Sequence, residues 1–203
     1  MTGTKDQFRQ AATARRRALT GTPEKRELDA AIAAHAARTI AALGVEGPTV
    51  AAYSPLPSEP GGEALLKALG EVSARILLPL SLNDGTLRWA PLRPETRPDL
   101  SPDLRPGALG ILEPTGPHFP STVLSECDAI ILPALGVDRR GNRLGKGAGY
   151  YDRALVESSI SCPLIALLYD DEVHDALPHD AHDIPVTAVI TPSQKFLELR
   201  EPE

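Results

Sequence analysis

The run CDAIILPAL at 127–135 is the feature that most limits the fold. It is short and continuously apolar, as suits a strand buried on both faces, and strands of that kind belong to parallel sheets covered by helices. A glycine-rich segment, GVDRRGNRLGKGAGYYDRAL, follows at 136–155, and its tail together with VES reads as a helix over 150–159. Strand, glycine turn and helix in that order form a junction at the carboxyl end of a strand, which is where open α/β sheets bind ligands.

The rest of the chain alternates to match. Residues 4–19 read as a basic helix. Thr22 reads as an N-cap with Pro23 in the first helical position. Leu28, Ile32, Ala36, Ile40 and Leu43 then recur at helical spacing, and Gly44 ends the helix. His35 lies near that alanine-rich stripe and reads as a packed histidine. Strand-like runs stand at 49–55, 75–80 and 87–92, with the helical GEALLKALG between the first two, which makes a β-α-β unit. Residues 91–120 are rich in Pro, Asp and Arg and read as a long ordered loop. Strands at 163–169 and 186–191 complete the pattern. The expected fold is a layered helix-sheet-helix α/β domain over 1–203. It is Rossmann-like, with a mainly parallel sheet and a long N-terminal helical region.

A chain of 203 residues is long enough for one sizeable core. Its formal charge of −6 argues against broad nucleic-acid binding and leaves room for a local basic pocket. Cys127 and Cys162 have no metal-like spacing and read as buried, reduced thiols. The polar start MTGTKDQFRQ is unlike a signal peptide, and no run reaches membrane-spanning length, so the expected location is the cytoplasm.

Within the glycine-rich segment, Gly145, Gly147 and Gly149 alternate with Lys146 and Ala148. Such a loop brings backbone close to a ligand, and its N–H groups can cradle an anion. Arg143 and Lys146 add positive charge, and Asp152 adds a hard oxygen of the kind Mg²⁺ takes. The combination points to a nucleoside triphosphate. The standard phosphate motifs do not apply. Gly141 to Lys146 is one spacer short of a Walker A loop, and Gly147 stands where that loop needs Ser or Thr. The glycine spacing also misses the dinucleotide fingerprint.

Asp138, Gly141, Arg143, Leu144, Gly145, Gly147, Gly149, Tyr150, Tyr151 and Asp152 meet the pattern D-x-x-G-x-R-L-G-x-G-x-G-Y-Y-D. The chain thereby resembles the 5-formyltetrahydrofolate cyclo-ligase family, also called 5,10-methenyltetrahydrofolate synthetases. Further matches run in order along the chain: Lys5 and Arg9 in a K-x-x-x-R arrangement, Glu59 in YSPLPSEP, GILEP at 110–114, and HDIPVTAVITP at 182–192. Ala134, Val137 and Thr187 depart from the pattern, at strand ends rather than in the loop.

The resemblance implies an ATP-dependent conversion of 5-formyltetrahydrofolate to 5,10-methenyltetrahydrofolate by a monomer that needs neither nucleic acid nor membrane. It implies an ATP site of Lys5, Arg9, Arg143, Leu144, Gly145, Lys146, Gly147, Ala148, Gly149, Tyr150 and Tyr151. Substrate would meet Arg9, Ser54, Glu59, Lys146, Gly147, Ala148, Gly149 and Tyr150. Lys146 and Arg143 would act on the transferred group, and Asp152 and Asp183 would hold Mg²⁺. Two other readings stay open: a non-catalytic nucleotide- or RNA-binding member of the same fold family, and an ATP-dependent enzyme for another formyl or amide substrate. Tyr53, Trp89, Tyr150 and Tyr151 could stack on a ligand ring or serve the core. Asp170, Asp171 and Glu172 read as a solvated acidic turn, and His174, His179 and His182 as loop residues whose spacing fits no common zinc motif.

Overall fold

A computed structural model of the chain describes residues 3–92, 104–106, 112–114, 117–180, 183–194 and 197–199. In chain order the elements are α1 (Lys5–Leu19), α2 (Pro23–Ala41), β1 (Thr49–Ala51), α3 (Ala64–Gly70), β2 (Arg75–Ser81), β3 (Leu87–Leu92), β4 (Leu104–Pro106) and β5 (Leu112–Pro114). They continue with β6 (Ala129–Pro133), β7 (Gly136–Asp138), β8 (Arg143–Leu144), α4 (Tyr150–Val156), β9 (Leu164–Leu167), β10 (Val173–His174), β11 (Ala188–Ile190) and β12 (Leu197–Glu198).

Seven strands make the main sheet in the order β12-β11-β9-β6-β1-β2-β3. The inner pairs are parallel, and the strand at each edge is antiparallel. The apolar run at 127–135 supplies the central strand β6. Ile130 and Leu132 enter one core with Leu155 of α4 and Leu124 of a 3-10 turn, while Ala129 and Ile131 enter a second core with Ile32 of α2 and Leu65 of α3. Because successive side chains of a strand point to opposite faces, a strand apolar at every position must be covered on both. That is the expected helix-sheet-helix layering.

The helix starts follow local rules. Thr4 Oγ1 accepts from the Gln7 backbone N–H, and the Gln7 side chain accepts from the Thr4 N–H, so Thr4 caps α1 rather than joining it. Thr22 caps α2 through the Lys25 N–H, with Pro23 in the first position as expected. Gly44 takes φ +74° beyond the end of α2. His35 is buried, its Nδ1 3.0 Å from the Thr191 carbonyl oxygen.

Several elements are shorter or differently built than expected. The strand foreseen over 49–55 stops at Ala51. Ala52 still donates to Leu77, but the chain then turns away at Pro55 and Pro57, which have no N–H to give a ladder. The helix foreseen over 150–159 ends at Val156. The stretch 91–120 is more than a loop. It contains the end of β3 and the antiparallel pair β4–β5, and Phe119 exchanges backbone bonds with Trp89. The rest of that stretch, Gly110 and Ile111 of the GILEP segment among it, lies outside the described residues. Cys127 is buried as expected, but Cys162 is only half-buried; both are free thiols. Burial above all pushes Cys127 up to about 12 and Cys162 up to about 11. Among the described residues no helix is long and apolar enough to cross a membrane.

Candidate active site

A cavity of about 530 Å³ opens where β1, β2 and β6 end, lined there by Tyr53, Ser54, Ser81 and Ala134. The glycine loop does not follow β6 directly, contrary to expectation. The antiparallel pair β7–β8 intervenes, and β10 adds to it as a small second sheet. The Leu135 N–H donates to the Leu144 carbonyl at 2.7 Å, which closes this detour and returns Gly145 to the end of β6. Helix α1 lies across the same place, with Phe8 and Ala12 packed on Leu135, Leu144 and Leu177. Its opposite ends therefore bring Lys5, Arg9 and Arg16 to the cavity wall.

One wall is the loop Gly145–Gly149. Arg9 Nε donates to the Gly145 carbonyl at 3.0 Å, and a Cβ on Gly147, at φ +98°, would lie 3.3 Å from the Arg9 guanidinium carbon. Gly149 precedes α4 at φ +67°, where a Cβ would fall 2.8 Å from Arg153 Nη1. Both positions thus favour glycine for conformation, and a larger residue would also have to displace the arginine facing it. Arg153 ties the loop to the β2–β3 turn by donating to the Ala148 and Gly85 carbonyls. Leu144 is buried behind the loop. Arg143 is 8 % exposed; its Nη2 meets Asp152 Oδ1 at 2.7 Å, while its Nε is buried without a partner. Trp89 Nε1 and Ser73 Oγ share that condition among the described residues, and of the three only Arg143 lines the cavity. Asp152 thus holds the Arg143 guanidinium against the cavity, while the Nε of Arg143 lies inside the protein.

The facing wall carries Glu59, 5 % exposed in spite of its charge. Its Oε2 accepts from the Leu56 N–H at 2.8 Å, and its Oε1 meets Lys146 Nζ at 2.7 Å across the cavity. The Tyr53 hydroxyl donates to the Pro60 carbonyl at 2.9 Å. Burial, helped by the Glu59 charge, pushes the Tyr53 and Tyr151 phenols well up, so both remain protonated. Tyr150 and Tyr151 line the cavity, Tyr151 edge-on to Trp89 at 6.3 Å between ring centroids. Trp89 itself is 1 % exposed within the core, which removes it from the stacking candidates.

Asp152 and Asp183 both reach the cavity, and the Ile184 N–H contacts Asp152 Oδ1 at 3.4 Å, so the two carboxylates share one side of it. Lys5 Nζ donates to Asp183 at 2.6 Å and to Asp180 at 2.7 Å. Burial pulls the Lys5 amine down, but these two carboxylates outweigh it and raise it above the ordinary lysine value. Among the described residues no three His, Cys, Asp or Glu side chains converge on one point. Two hard carboxylates without a closed cage suit Mg²⁺, which binds through one or two carboxylates together with substrate phosphates, better than a metal held by protein alone.

Arg16 was only part of a basic run in the sequence, yet it lines the cavity at 3 % exposure. It holds both oxygens of Glu172 at 2.7 Å and donates to the Ala134 carbonyl. Helical spacing from Lys5 and Arg9 was the signal that could have found it. Glu172 correspondingly leaves the solvated acidic turn: it is 1 % exposed and paired. Asp170 accepts from Thr191 and Ser193, Asp171 pairs with Arg15, and neither lines the cavity that holds Asp152 and Asp183. His174 packs edge-on against Phe8; His179 is exposed, and His182 lies outside the described residues.

The family model for the 5-formyltetrahydrofolate cyclo-ligase family matches residues 1–192. A 5-formyltetrahydrofolate cyclo-ligase of Mycolicibacterium smegmatis is 42 % identical over 166 residues, which is 79 % of this chain and 82 % of that one. The protein of the same name from Escherichia coli K12 is 31 % identical over 183 residues, 89 % and 96 % of the two chains. Among solved structures, the 5,10-methenyltetrahydrofolate synthetase of Aquifex aeolicus superposes with a TM-score of 0.72 at 25 % identity, over 98 % of this chain and 94 % of that one.

Proposed function

Since the chain belongs to the 5-formyltetrahydrofolate cyclo-ligase family, and so converts 5-formyltetrahydrofolate to 5,10-methenyltetrahydrofolate, we propose that the cavity at the strand ends is its active site, with ATP as co-substrate and Mg²⁺ as its metal. One observation carries the assignment. Lys5, Arg9, Ser54, Glu59, Arg143, Lys146, Asp152 and Asp183 come from four separate stretches of chain and line one cavity.

The chemistry asks for phosphate binding on one wall and pterin binding on the other. A formamide oxygen leaves poorly, so it first takes the γ-phosphoryl group of ATP as the bond to ADP breaks. N10 then attacks the formyl carbon, the carbon–oxygen bond breaks, phosphate departs, and N10 gives up its proton. Phosphoryl transfer depends mainly on positioning and charge neutralisation. The Gly145–Gly149 backbone would approach the phosphates closely, and Arg143 would bring its guanidinium charge to the cavity wall beside them. Lys5 and Arg9 would add positive charge from α1. Bound Mg²⁺ would neutralise further phosphate charge, with Asp152 and Asp183 as its protein oxygens. Glu59, acceptor-only when ionised, would take the donor edge of the pterin. The Lys146 ammonium, released from Glu59 by that edge, would swing toward the transferred group and the formyl oxygen.

A buried carboxylate aimed into the cavity favours this enzyme over a non-catalytic nucleotide or RNA binder, which has no use for a pterin-side acid. The net charge of −6 supports action on small molecules without nucleic acid, and we read the protein as a cytoplasmic monomer whose two thiols are free. Incubation with ATP, Mg²⁺ and 5-formyltetrahydrofolate should develop the methenyl chromophore. Its failure to appear with any nucleotide would overturn the reading.

A further inference from the structure

The charged residues of α2 have no part in the chemistry above, yet two of them are buried. Lys25 is 5 % and Asp29 7 % exposed, one turn apart, ahead of Ile32, Ala33, His35, Ala36 and Ile40, which are buried further along the helix. Their side chains pair with each other. Beyond that pairing, both reach the segment that carries Glu59. Lys25 Nζ donates to the Glu59 carbonyl at 3.0 Å, and Asp29 Oδ1 accepts from the Gly61 N–H at 3.1 Å. The Tyr53 hydroxyl holds the Pro60 carbonyl lying between them. Three successive backbone groups are therefore each held by a buried side chain.

The approach is close. Gly62 stands at φ +47°, and a Cβ there would fall 2.5 Å from Asp29 Oδ2. Asp29 is fixed in turn by the Tyr169 hydroxyl, which donates to its Oδ1 at 3.0 Å. Burial first, and the Asp29 charge second, push that phenol up, so it stays a donor. The Tyr169 N–H donates to Glu172, the residue that Arg16 clamps. Stability alone does not account for such a pair. Burying two charges costs desolvation, and an apolar pair of similar volume is often as stable or more so. An ion pair does give direction, because its donor and acceptor must meet fixed partners.

We infer that Lys25 and Asp29 are positioning residues for Glu59: from the buried face of α2 they hold the backbone at its carbonyl and just after it, so that its carboxylate is already aimed into the cavity before substrate arrives. The inference rests on the reading of Glu59 as the pterin's partner. Neither residue lines the cavity, so their effect is on the pterin-binding wall alone.

The test compares two ligands on one variant. Lys25→Met combined with Asp29→Leu removes both charges at similar volume and leaves no unpaired ion. Titration calorimetry with 5-formyltetrahydrofolate should show a Kd about tenfold or more above that of the native enzyme, as expected when a binding group loses its placement. The Kd for a non-hydrolysable ATP analogue with Mg²⁺ should not change. Unchanged binding of both ligands, or equal loss of both, overturns the inference. A second measurement needs no substitution. In the native enzyme without ligand, the Gly61 amide should exchange slowly with solvent, because Asp29 holds it; exchange at the rate of an open loop amide overturns the inference. Glu59→Gln, run in parallel, separates the two levels. If it leaves folate binding intact, the substrate reading falls and this inference with it. If it weakens folate binding while the double variant does not, only this inference falls.

Discussion

Glu59 and Lys146 touch at 2.7 Å, yet their side chains are 6 % and 54 % exposed. The segment around Glu59 is held from behind by Lys25, Asp29 and Tyr53, through backbone groups that face the interior. The loop around Lys146 is held from its flanks, by Arg9 on Gly145 and by Arg153 on Ala148, and both guanidiniums stand at the cavity rim. One wall is built into the core and the other is strapped onto it. The contrast fits the two tasks proposed for the walls. A rigid, neutral-edged pterin is bound best by a group already in place, since ordering a side chain on binding costs free energy. A transferring phosphoryl group changes position and charge as it reacts, and an exposed lysine between two glycines can follow it.

The hardest way to break the comparison is to remove what the phosphate wall serves. Chelation of divalent metal should abolish formation of the methenyl chromophore. Asp152→Asn should lower turnover steeply with the fold intact, because the amide loses the charge that holds a hard cation. Unchanged rate and metal dependence in that variant would leave Asp152 as the partner of Arg143 and nothing more. Lys146→Ala comes next. Loss of one preorganised charge at a transition state costs on the order of 10²–10³ in kcat. The same change at an exposed loop position should shift stability by no more than about 0.5 kcal/mol. A kcat loss that tracks a falling Tm would make the loop as structural as the facing wall and dissolve the contrast.

On the Glu59 side the effect should appear in binding. Glu59→Gln gives up a charge-assisted hydrogen bond, about 1.5–3 kcal/mol or roughly 10–100-fold in Kd for 5-formyltetrahydrofolate. Nucleotide binding should fall much less; equal losses for both ligands in calorimetry would assign Glu59 a structural role. The smallest effect is expected at Arg153→Leu. It removes one strap of the glycine loop, worth about 0.5–1.5 kcal/mol of hydrogen bonding. We expect KM for ATP to rise a few-fold, in keeping with that figure, with KM for the folate unchanged. A change confined to the folate would show that the two walls are coupled through the β2–β3 turn.

The phosphate wall was legible from sequence because it is local. Arg143 to Asp152 is one continuous stretch, and the need for glycine at 147 and 149 follows from backbone conformation. The facing wall was only half legible. Glu59 stood out by its place in YSPLPSEP, but nothing in the spacing of Lys25 and Asp29 distinguished them from solvated residues on a helix. Glu172 was misjudged for the same reason: an acidic turn reads as solvated unless its partner is known, and Arg16 is 156 positions away. Trp89 stayed open between ligand and core until the structure put it in the core, since an aromatic in a strand has the same periodicity in either case.

By itself, the sequence determined the layers and gave a proposed place for the site. An apolar run without polar alternation has to be covered on both faces, and the carboxyl end of such a strand is where open α/β sheets bind ligands; that the glycine loop returns there by way of β7–β8 was decided by the structure. The cap at Thr22 was equally determined, because a capping bond spans only three residues, whereas Thr4 read as the first residue of α1 and proved to be its cap. Tertiary structure alone decided that Lys146 meets Glu59, that Arg16 closes on Glu172, and that α2 grips the Glu59 segment. These are pairings across 32 to 156 positions of chain, depending on how the layers stack, and a buried charge is tolerable only when that stacking delivers its partner.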